Sequence, residues 1–338
     1  MIVSARLRHA ITNRLGRVVA RVSPPKPEEF LNDTGQFSKI IFLANRWEYG
    51  SRFGLPGYEY RRFTPALNML ARHLTFIPIE LHDESINAIL RSVRGHYNVP
   101  ILSVFQNLSD IPEAYFRLKE TGSKLINWYT DDDMLFAKFS SKVANSFDLN
   151  VTTFEPNVPK FHALGAKVLA SQWAGVEGIE FLWEKRYLAT FIGRMYGARA
   201  QLAESLKTHY GERVFTSDTR LRSIPENEML RIYQESLFAI DEPVSYDGAN
   251  LQIKARIFEN ASMGSVVLTK CNARLNQYFK QNEEILFYRD YVHLFQILDD
   301  ALSKPDRYLK VARAGYDRAR TEHTYEKRFR EMLNRAIG

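Results

Sequence analysis

Short apolar runs that alternate with helical stretches constrain the fold of this 338-residue chain more than any other feature. Runs this short with almost no charge are typical of strands buried on both faces of a parallel sheet. Helical patterns such as 62–73 and 225–235 separate them, which predicts an α/β protein with helices on both sheet faces. The predicted strands are 39–44, 75–79, 100–105, 124–129, 150–154 and 167–170 in the first half, and 187–192, 214–216, 237–240 and 266–268 in the second.

Residues 254–268 combine a helix, a glycine stop and a strand. Small residues recur on one helical face, and Gly264 stands where a helix end favours a left-handed residue. Lys254, Arg256 and Glu259 lie near the start of this helix, where the backbone dipole already favours anions. Two cations and a carboxylate could together hold a phosphate and a ribose diol. The alternative is a surface helix on which Arg256 and Glu259 pair with each other.

The sequence of residues 256–268 resembles the C-terminal donor-binding motif of GT-B glycosyltransferases, and more narrowly that of the spore maturation protein CgeB-like family, with a glycosyl transferases group 1-like C-terminal domain. The likeness continues through 282–290 and 322–328. It implies a GT-B fold, in which two Rossmann-like domains face a cleft and the C-terminal helix crosses back to the first domain. The implied activity is sugar transfer from a nucleotide sugar, generally without a metal.

Chain organisation follows from these patterns. We expect a basic amphipathic helix and spacer at 1–27, a Rossmann-like acceptor domain at 28–180, a Rossmann-like nucleotide-sugar domain at 181–322 and the returning helix at 323–338.

The N-terminal segment 1–22 carries five arginines and no acidic residue, with apolar residues at every third or fourth position. This pattern predicts a basic amphipathic helix. It could attach to an anionic membrane surface, pack on its own protein or act as an organelle transit peptide. A secretory signal is disfavoured because the segment has no continuous apolar core.

Charge and cysteine content narrow the partners and the compartment. A net charge of +7 and a pI near 9.3 favour anionic partners: nucleotide-sugar phosphates, an acidic membrane surface, an acidic glycan or nucleic acid. Cys271 is the sole cysteine, which rules out an internal disulfide and argues against a cysteine-built metal site. No apolar run reaches the roughly 18–20 residues of a membrane span. We therefore expect a cytoplasmic protein, with the basic segment as its route to the inner face of the membrane.

A predicted phosphate cradle follows the strand 187–192. Gly193 and Arg194 lead into a loop and a helix that begins near Arg199, so backbone N–H groups and two guanidinium groups could bind phosphate. The alternative is that both arginines are solvated. The CgeB-like pattern also has an arginine at the place of Arg199. Many retaining GT-B enzymes carry a second glutamate where this chain has Leu251, a departure that leaves Glu259 as the one member present.

Two features of the first half point towards the cleft. Asp131 and Asp132 follow the strand 124–129, at the sheet edge where α/β proteins bind ligands, and are acceptor-side candidates. They could instead cap the next helix, 134–144, or bind Mg²⁺ or Ca²⁺. The loop 45–58 contains Gly50 and follows the first strand, as in nucleotide-binding half-domains. It could equally be a simple connector.

The resulting hypothesis is a retaining, metal-independent glycosyltransferase without a cofactor, using a UDP-sugar in preference to a GDP-sugar. The acceptor would be a glycan, a lipid-linked molecule or a protein. The alternatives are a non-catalytic nucleotide- or sugar-binding GT-B protein and a transferase that modifies nucleic acid bases. The predicted catalytic residues are Arg194, Arg199, Asp131 and Asp132, and the predicted nucleotide-sugar-binding residues are Gly50, Gly193, Lys254, Arg256 and Glu259.

Overall fold

A computed structural model describes residues 26–47, 56–219, 221, 224–243 and 252–338. Within these ranges the strands form two sheets, one in each half of the chain. The predicted helix 1–22, Gly50 and Leu251 lie outside the described residues.

The first sheet has the strand order β1-β3-β2-β4-β5-β6-β7. All its neighbouring pairs are parallel except β1 and β3. The strand β1 is too polar to be recognised as an apolar run, and it covers an edge of the sheet as an antiparallel addition. The strands are β1 Glu28–Leu31, β2 Ile40–Ala44, β3 His73–Pro78, β4 Pro100–Ser103, β5 Lys124–Tyr129, β6 Leu149–Thr152 and β7 Val168–Ala170.

Helices connect these strands. They are α1 Tyr58–Leu70, α2 Glu84–Val93, α3 Asp132–Leu135 and α4 Val158–Ala163, with short 3₁₀ turns at Ile79–Leu81, Leu108–Asp110, Tyr115–Thr121, Ala144–Ser146 and Glu155–Asn157. The helix predicted at 134–144 is interrupted, because α3 passes into a π-helical turn at Phe136–Ser140 before Ser141–Val143 returns to α geometry. A π-helical turn adds a residue to the helical repeat and so changes which side chains face the sheet.

The second sheet is wholly parallel, with the order β12-β11-β10-β8-β9. Its strands are β8 Tyr187–Gly193, β9 Val214–Asp218, β10 Ser236–Asp241, β11 Val266–Lys270 and β12 Leu286–Tyr288. The helices are α5 Ala198–Tyr210, α6 Glu226–Gln234, α7 Ala255–Ser262, α8 Tyr291–Ser303, α9 Pro305–Glu322 and α10 Tyr325–Ile337, with 3₁₀ turns at Gly211–Arg213 and Ala273–Gln277.

The last helix, α10, crosses back to the first domain, as the GT-B resemblance implies. Phe329 of α10 packs against Phe63 of α1 and Trp128 of β5, with ring centroids 5.1 Å and 5.6 Å away. The same buried cluster includes Phe258 and Ala261 of α7. One apolar core therefore joins the two domains beneath the cleft.

The segment between the two sheets packs against α7. The Oγ of Ser262 accepts a hydrogen bond from the backbone N–H of Val176 at 2.8 Å. A Cβ atom at Gly175 would lie 2.6 Å from the Cβ of Ser262, so glycine is required for this approach. Small residues on α7 thus serve the packing that their spacing predicts.

Candidate active site

The carboxyl ends of the parallel strands in the second sheet meet at one edge. β8 ends at Gly193, β10 at Asp241, β11 at Lys270 and β12 at Tyr288. Open α/β sheets bind ligands outside this edge. The edge therefore positions the candidate donor site.

Gly193 allows an arginine from α7 to reach this edge. Arg256 donates a hydrogen bond through Nη1 to the carbonyl of Ile192 at 3.3 Å. A Cβ atom at Gly193 would lie only 3.2 Å from that nitrogen. The two predicted nucleotide-binding residues are therefore neighbours in space, although 63 positions separate them in the sequence.

Arg256 pairs with a buried acid that sequence analysis did not identify. Its Nε lies 3.6 Å from an oxygen of Asp241, whose side chain is 1% exposed. Burial raises the pKa of the Asp241 carboxyl group, and Arg256 opposes that shift. The pair holds the guanidinium group at the end of the central strand.

Arg199 reaches the next residue of the same strand end. Its Nη2 donates to the backbone carbonyl of Glu242 at 2.6 Å, and its guanidinium carbon lies 5.6 Å from the ring centre of Tyr196. Arg194, in contrast, has an exposed side chain. Arg199 therefore lies in the first turn of α5 and is anchored to the sheet edge, whereas Arg194 lies on the loop between β8 and α5 and faces solvent.

The Glu242 carboxylate is the second acid that sequence analysis missed. It accepts a hydrogen bond from the Tyr288 hydroxyl and pairs with Lys270. A signal was present, because Asp241 and Glu242 directly follow the apolar run 237–240 as Asp131 follows its own strand. Both sets of acids lie at a carboxyl edge, where open α/β sheets bind ligands.

Lys254 lies at the N-cap position of α7 and faces the first domain. Its Nζ is 3.8 Å from an oxygen of Asp131, which follows β5. Nearby, burial raises the pKa of the Asp133 carboxyl group, and Lys254 lowers it. A cation of the second domain and carboxylates of the first domain thus meet across the cleft.

Asp132 occupies a different environment from Asp131. Its carboxylate is wholly buried and accepts hydrogen bonds from Ser140 at 2.5 Å and Thr152 at 2.6 Å. Asn157 donates to the same carboxylate at 3.2 Å. Asp132 therefore links the π-helical turn to β6, whereas Asp131 contacts the opposite domain.

Glu259 lies on α7 with its side chain 17% exposed and directed towards the first domain. Its Oε1 accepts from the Tyr58 hydroxyl at 3.0 Å and lies 3.9 Å from Nε of Arg62. Burial raises the pKa of the carboxyl group, and Arg62 and the Tyr58 hydrogen bond oppose that shift. The surface-helix alternative is wrong, because residues 257, 258 and 260–262 are buried and Arg256 pairs with Asp241.

Further contacts between α1 and the second domain surround Glu259. Arg62 donates to Glu226 of α6 at 2.6 Å, and Arg61 pairs with the same carboxylate. The Tyr58 hydroxyl lies 2.9 Å from that of Tyr325 at the start of α10. In this structure the two domains are in direct polar contact beside the candidate nucleotide site.

The described residues hold neither of two other kinds of site. They contain no group of three or more His, Cys, Asp or Glu side chains arranged to hold a metal ion. In the same part of the chain, no helix combines the length and hydropathy needed to span a bilayer.

The second domain of the chain matches a known sequence family. Residues 185–334 match the sequence family described as glycosyl transferase-like. No curated protein sequence matches the chain significantly.

Solved structures match over both halves. An alpha-glucosyltransferase, crystallised with UDP and a 13-mer DNA containing an HMU base, has a TM-score of 0.60 and 10% identity, covering 89% of this chain and 100% of its own. Sucrose-phosphate synthase from Thermosynechococcus elongatus has a TM-score of 0.57 and 13% identity, covering 88% and 98%. TarM has a TM-score of 0.51 and 8% identity, and the match covers 71% of this chain. The chain spans about half of the length of TarM, 55%.

The structural likenesses establish the fold, and the sequence match is confined to the second domain. The chain has the GT-B fold, and its residues 185–334 match a domain family described as glycosyl transferase-like.

Proposed function

We propose that this protein transfers a sugar from a UDP-sugar to an acceptor hydroxyl group, with retention of configuration and without a metal ion. The observation that supports the proposal best is the convergence of Arg199, Arg256 and Lys254 on one cleft beside Glu259. The motif at 256–268 supports a closer affiliation with the CgeB-like glycosyltransferases.

The cations suit the charge that develops in the reaction. Breaking the bond between the sugar and the diphosphate builds negative charge on the leaving group, and preorganised positive groups lower that barrier. Arg199 and Arg256 are anchored by the protein itself, so little reorganisation is needed when the charge appears. Arg194, exposed on the loop between β8 and α5, can close over the phosphates.

Glu259 is proposed to accept hydrogen bonds from the ribose hydroxyls. A carboxylate has about four acceptor positions, so the Tyr58 contact on Oε1 leaves capacity for a diol. The same carboxylate then contacts both the bound donor and Tyr58 of α1 in the opposite domain.

The acceptor is proposed to be a neutral hydroxyl compound: a glycan, a lipid-linked molecule or a protein side chain. Asp131 and Asp133 line the first-domain side of the contact with Lys254. Carboxylates in this place repel a polyanion and suit hydrogen bonding to sugar hydroxyls. The working location is proposed to be the cytoplasm, at an anionic membrane surface reached through residues 1–22.

A second function, transfer of sugar to a nucleic acid base, is supported by one observation. The alpha-glucosyltransferase with the same fold was crystallised with UDP and modified DNA. Duplex DNA containing hydroxymethyluracil therefore belongs in the acceptor panel.

The direct test is incubation of the full chain with radiolabelled UDP- and GDP-sugars, with and without acceptors, in EDTA and in Mg²⁺. Slow donor hydrolysis without acceptor, selective for a UDP-sugar and unaffected by EDTA, is expected. Turnover that requires Mg²⁺ or prefers GDP-sugars would contradict those parts of the proposal. Tight UDP binding without turnover would identify a non-catalytic binding protein instead.

A further inference from the structure

Lys270 ends β11 on the same sheet edge as Gly193 and Asp241. Its side chain is 32% exposed, and its amino group pairs with the Glu242 carboxylate. The ring of Tyr291 lies beside it, with the ring centre 5.9 Å from Nζ. A lysine with a buried anchor and an open side is suited to contact a ligand at this edge.

The Glu242 carboxylate is buried and hydrogen-bonded, so it cannot move into solvent with the Lys270 amino group. Its side chain is 1% exposed and accepts the Tyr288 hydrogen bond as well as the lysine contact. Its backbone carbonyl accepts the hydrogen bond from Arg199. A buried carboxylate that loses its cation is strongly unfavourable, so Glu242 restrains the lysine amino group close to the strand end.

The charges along this edge show why Lys270 matters. Among the described residues, Arg194, Arg199, Arg256 and Lys270 provide four positive charges, and Asp241, Glu242 and Asp218, which ends β9, offset three of them. Removing Lys270 would therefore remove the remaining net positive charge of this set. An ammonium group has three donors, and its pairing with Glu242 leaves at least one for a ligand.

We propose that Lys270 is a further donor-binding residue that contacts the diphosphate, and that Glu242 is the positioning residue that aims it. This inference rests on the proposed function, because it requires a nucleoside diphosphate at the carboxyl edge of the second sheet. It adds β11 to the loop after β8 and the helices α5 and α7 as a source of phosphate contacts.

Titration calorimetry with UDP, and competition with uridine, test the proposal. Lys270→Met should weaken UDP binding about tenfold or more, the effect of one charge-assisted hydrogen bond, and leave uridine binding unchanged. Lys270→Arg should retain most of the UDP affinity. The matched control is Lys280→Met, which removes a lysine of an exposed Lys–Glu pair in the same domain. It should change the affinity for neither UDP nor uridine.

A double-mutant cycle tests the role of Glu242. Glu242→Gln keeps the side-chain shape and an acceptor for Tyr288, and it should weaken UDP binding on its own. Combined with Lys270→Met it should add no further loss, because Glu242 acts through the lysine. The double variant also removes the unpaired buried charge, so it should fold even where Lys270→Met is unstable in a thermal melt.

The results separate failure of this inference from failure of the proposed function. Equal weakening of UDP and uridine, or an unchanged UDP affinity in a folded Lys270→Met variant, would overturn the role of Lys270. Additive losses in the double variant would overturn the positioning role of Glu242. A wild-type protein that does not bind UDP would instead contradict the proposed donor itself.

Discussion

At the scale of single residues, the cleft is defined by charges whose partners lie far away in the sequence. Arg256 is held by Asp241, Arg199 by the carbonyl of Glu242, and Glu259 by Tyr58 of the other domain. These partners fix side chains that would otherwise lose conformational entropy when a ligand binds.

Glu259→Ala should weaken UDP binding about tenfold or more, because a charge-assisted hydrogen bond to the ribose is worth roughly 1.5–3 kcal/mol. Calorimetric titration measures the affinity, and a thermal melt measures the loss of the Tyr58 contact. A lower melting temperature with an unchanged dissociation constant would make Glu259 an inter-domain anchor and not a ribose ligand.

The same residue makes UDP binding depend on pH. Since burial raises the pKa of Glu259 above 4.5, the carboxylate takes up a proton earlier than usual as pH falls, and affinity should fall with it. The stability of the free protein should instead increase as pH falls, because the folded state binds this proton more tightly than the unfolded chain. Glu259→Gln should lack this step, and subtracting its pH profile removes the contribution of the phosphates.

Arg199→Ala should reduce turnover about 10²-fold or more, the usual effect of removing one preorganised charge contact of roughly 3 kcal/mol. Steady-state hydrolysis of the UDP-sugar measures it. Arg231→Ala is the matched control, since it removes an exposed arginine paired with Glu235 on α6 and should leave turnover unchanged. Near-wild-type turnover of a folded Arg199 variant would remove this residue from the site.

At the scale of elements, the junction between α9 and α10 determines how the last helix returns to the first domain. His323 lies at this junction, packed against Phe258 and Phe279. Its Nε2 bonds to the carbonyl of Tyr278 at 2.8 Å, and its Nδ1 accepts from Arg328 at 3.0 Å. The ring is therefore neutral, with the proton on Nε2, and it joins α7, α10 and the 3₁₀ turn 273–277.

Burial lowers the pKa of His323 to about 4, with Arg328 and Arg318 acting in the same direction and Glu322 and the Tyr278 carbonyl against it. Between pH 6.5 and 4 the unfolded chain binds a proton that the folded chain does not. This contribution to stability is complete above pH 6.5 and falls by about 2 kcal/mol between pH 7 and pH 5. Urea unfolding at both pH values checks it. His323→Gln should show a smaller loss, and equal losses would contradict the prediction.

At the scale of the whole molecule, one apolar core and one set of polar contacts join the two domains. Phe63 stacks on Trp128 at 4.8 Å and contacts Phe329 of the returning helix. Above this core, Arg62 and Tyr58 of α1 contact the second domain beside Glu259. The core resists separation of the domains, whereas the polar contacts above it can exchange with a ligand.

The basic N-terminal segment should act independently of this core. Deleting residues 1–22 is expected to leave the thermal melt unchanged and to abolish binding to anionic phospholipid vesicles, because five arginines and an apolar stripe are removed. Co-sedimentation with anionic and with neutral vesicles measures this. Full-length protein that does not bind anionic vesicles, or equal binding after the deletion, would reject the membrane role.

Sequence alone determined the α/β architecture and most of its elements, because strand and helix patterns depend on neighbouring residues. The strand 124–129 lies where the pattern places it, and the helix predicted at 225–235 is observed at Glu226–Gln234. The strand β1 was missed because its sequence Glu-Glu-Phe-Leu is not apolar, and it forms through pairing with β3.

The tertiary structure decided which charges meet. Asp131 and Asp132 are adjacent and chemically identical in the sequence, yet one contacts Lys254 across the cleft and the other is buried beside Ser140 and Thr152. The pairing of Lys270 with Glu242 likewise depends on the strand order. Periodicity acts over a few residues, whereas the partner of a charged side chain is set by which strands and helices become neighbours in space.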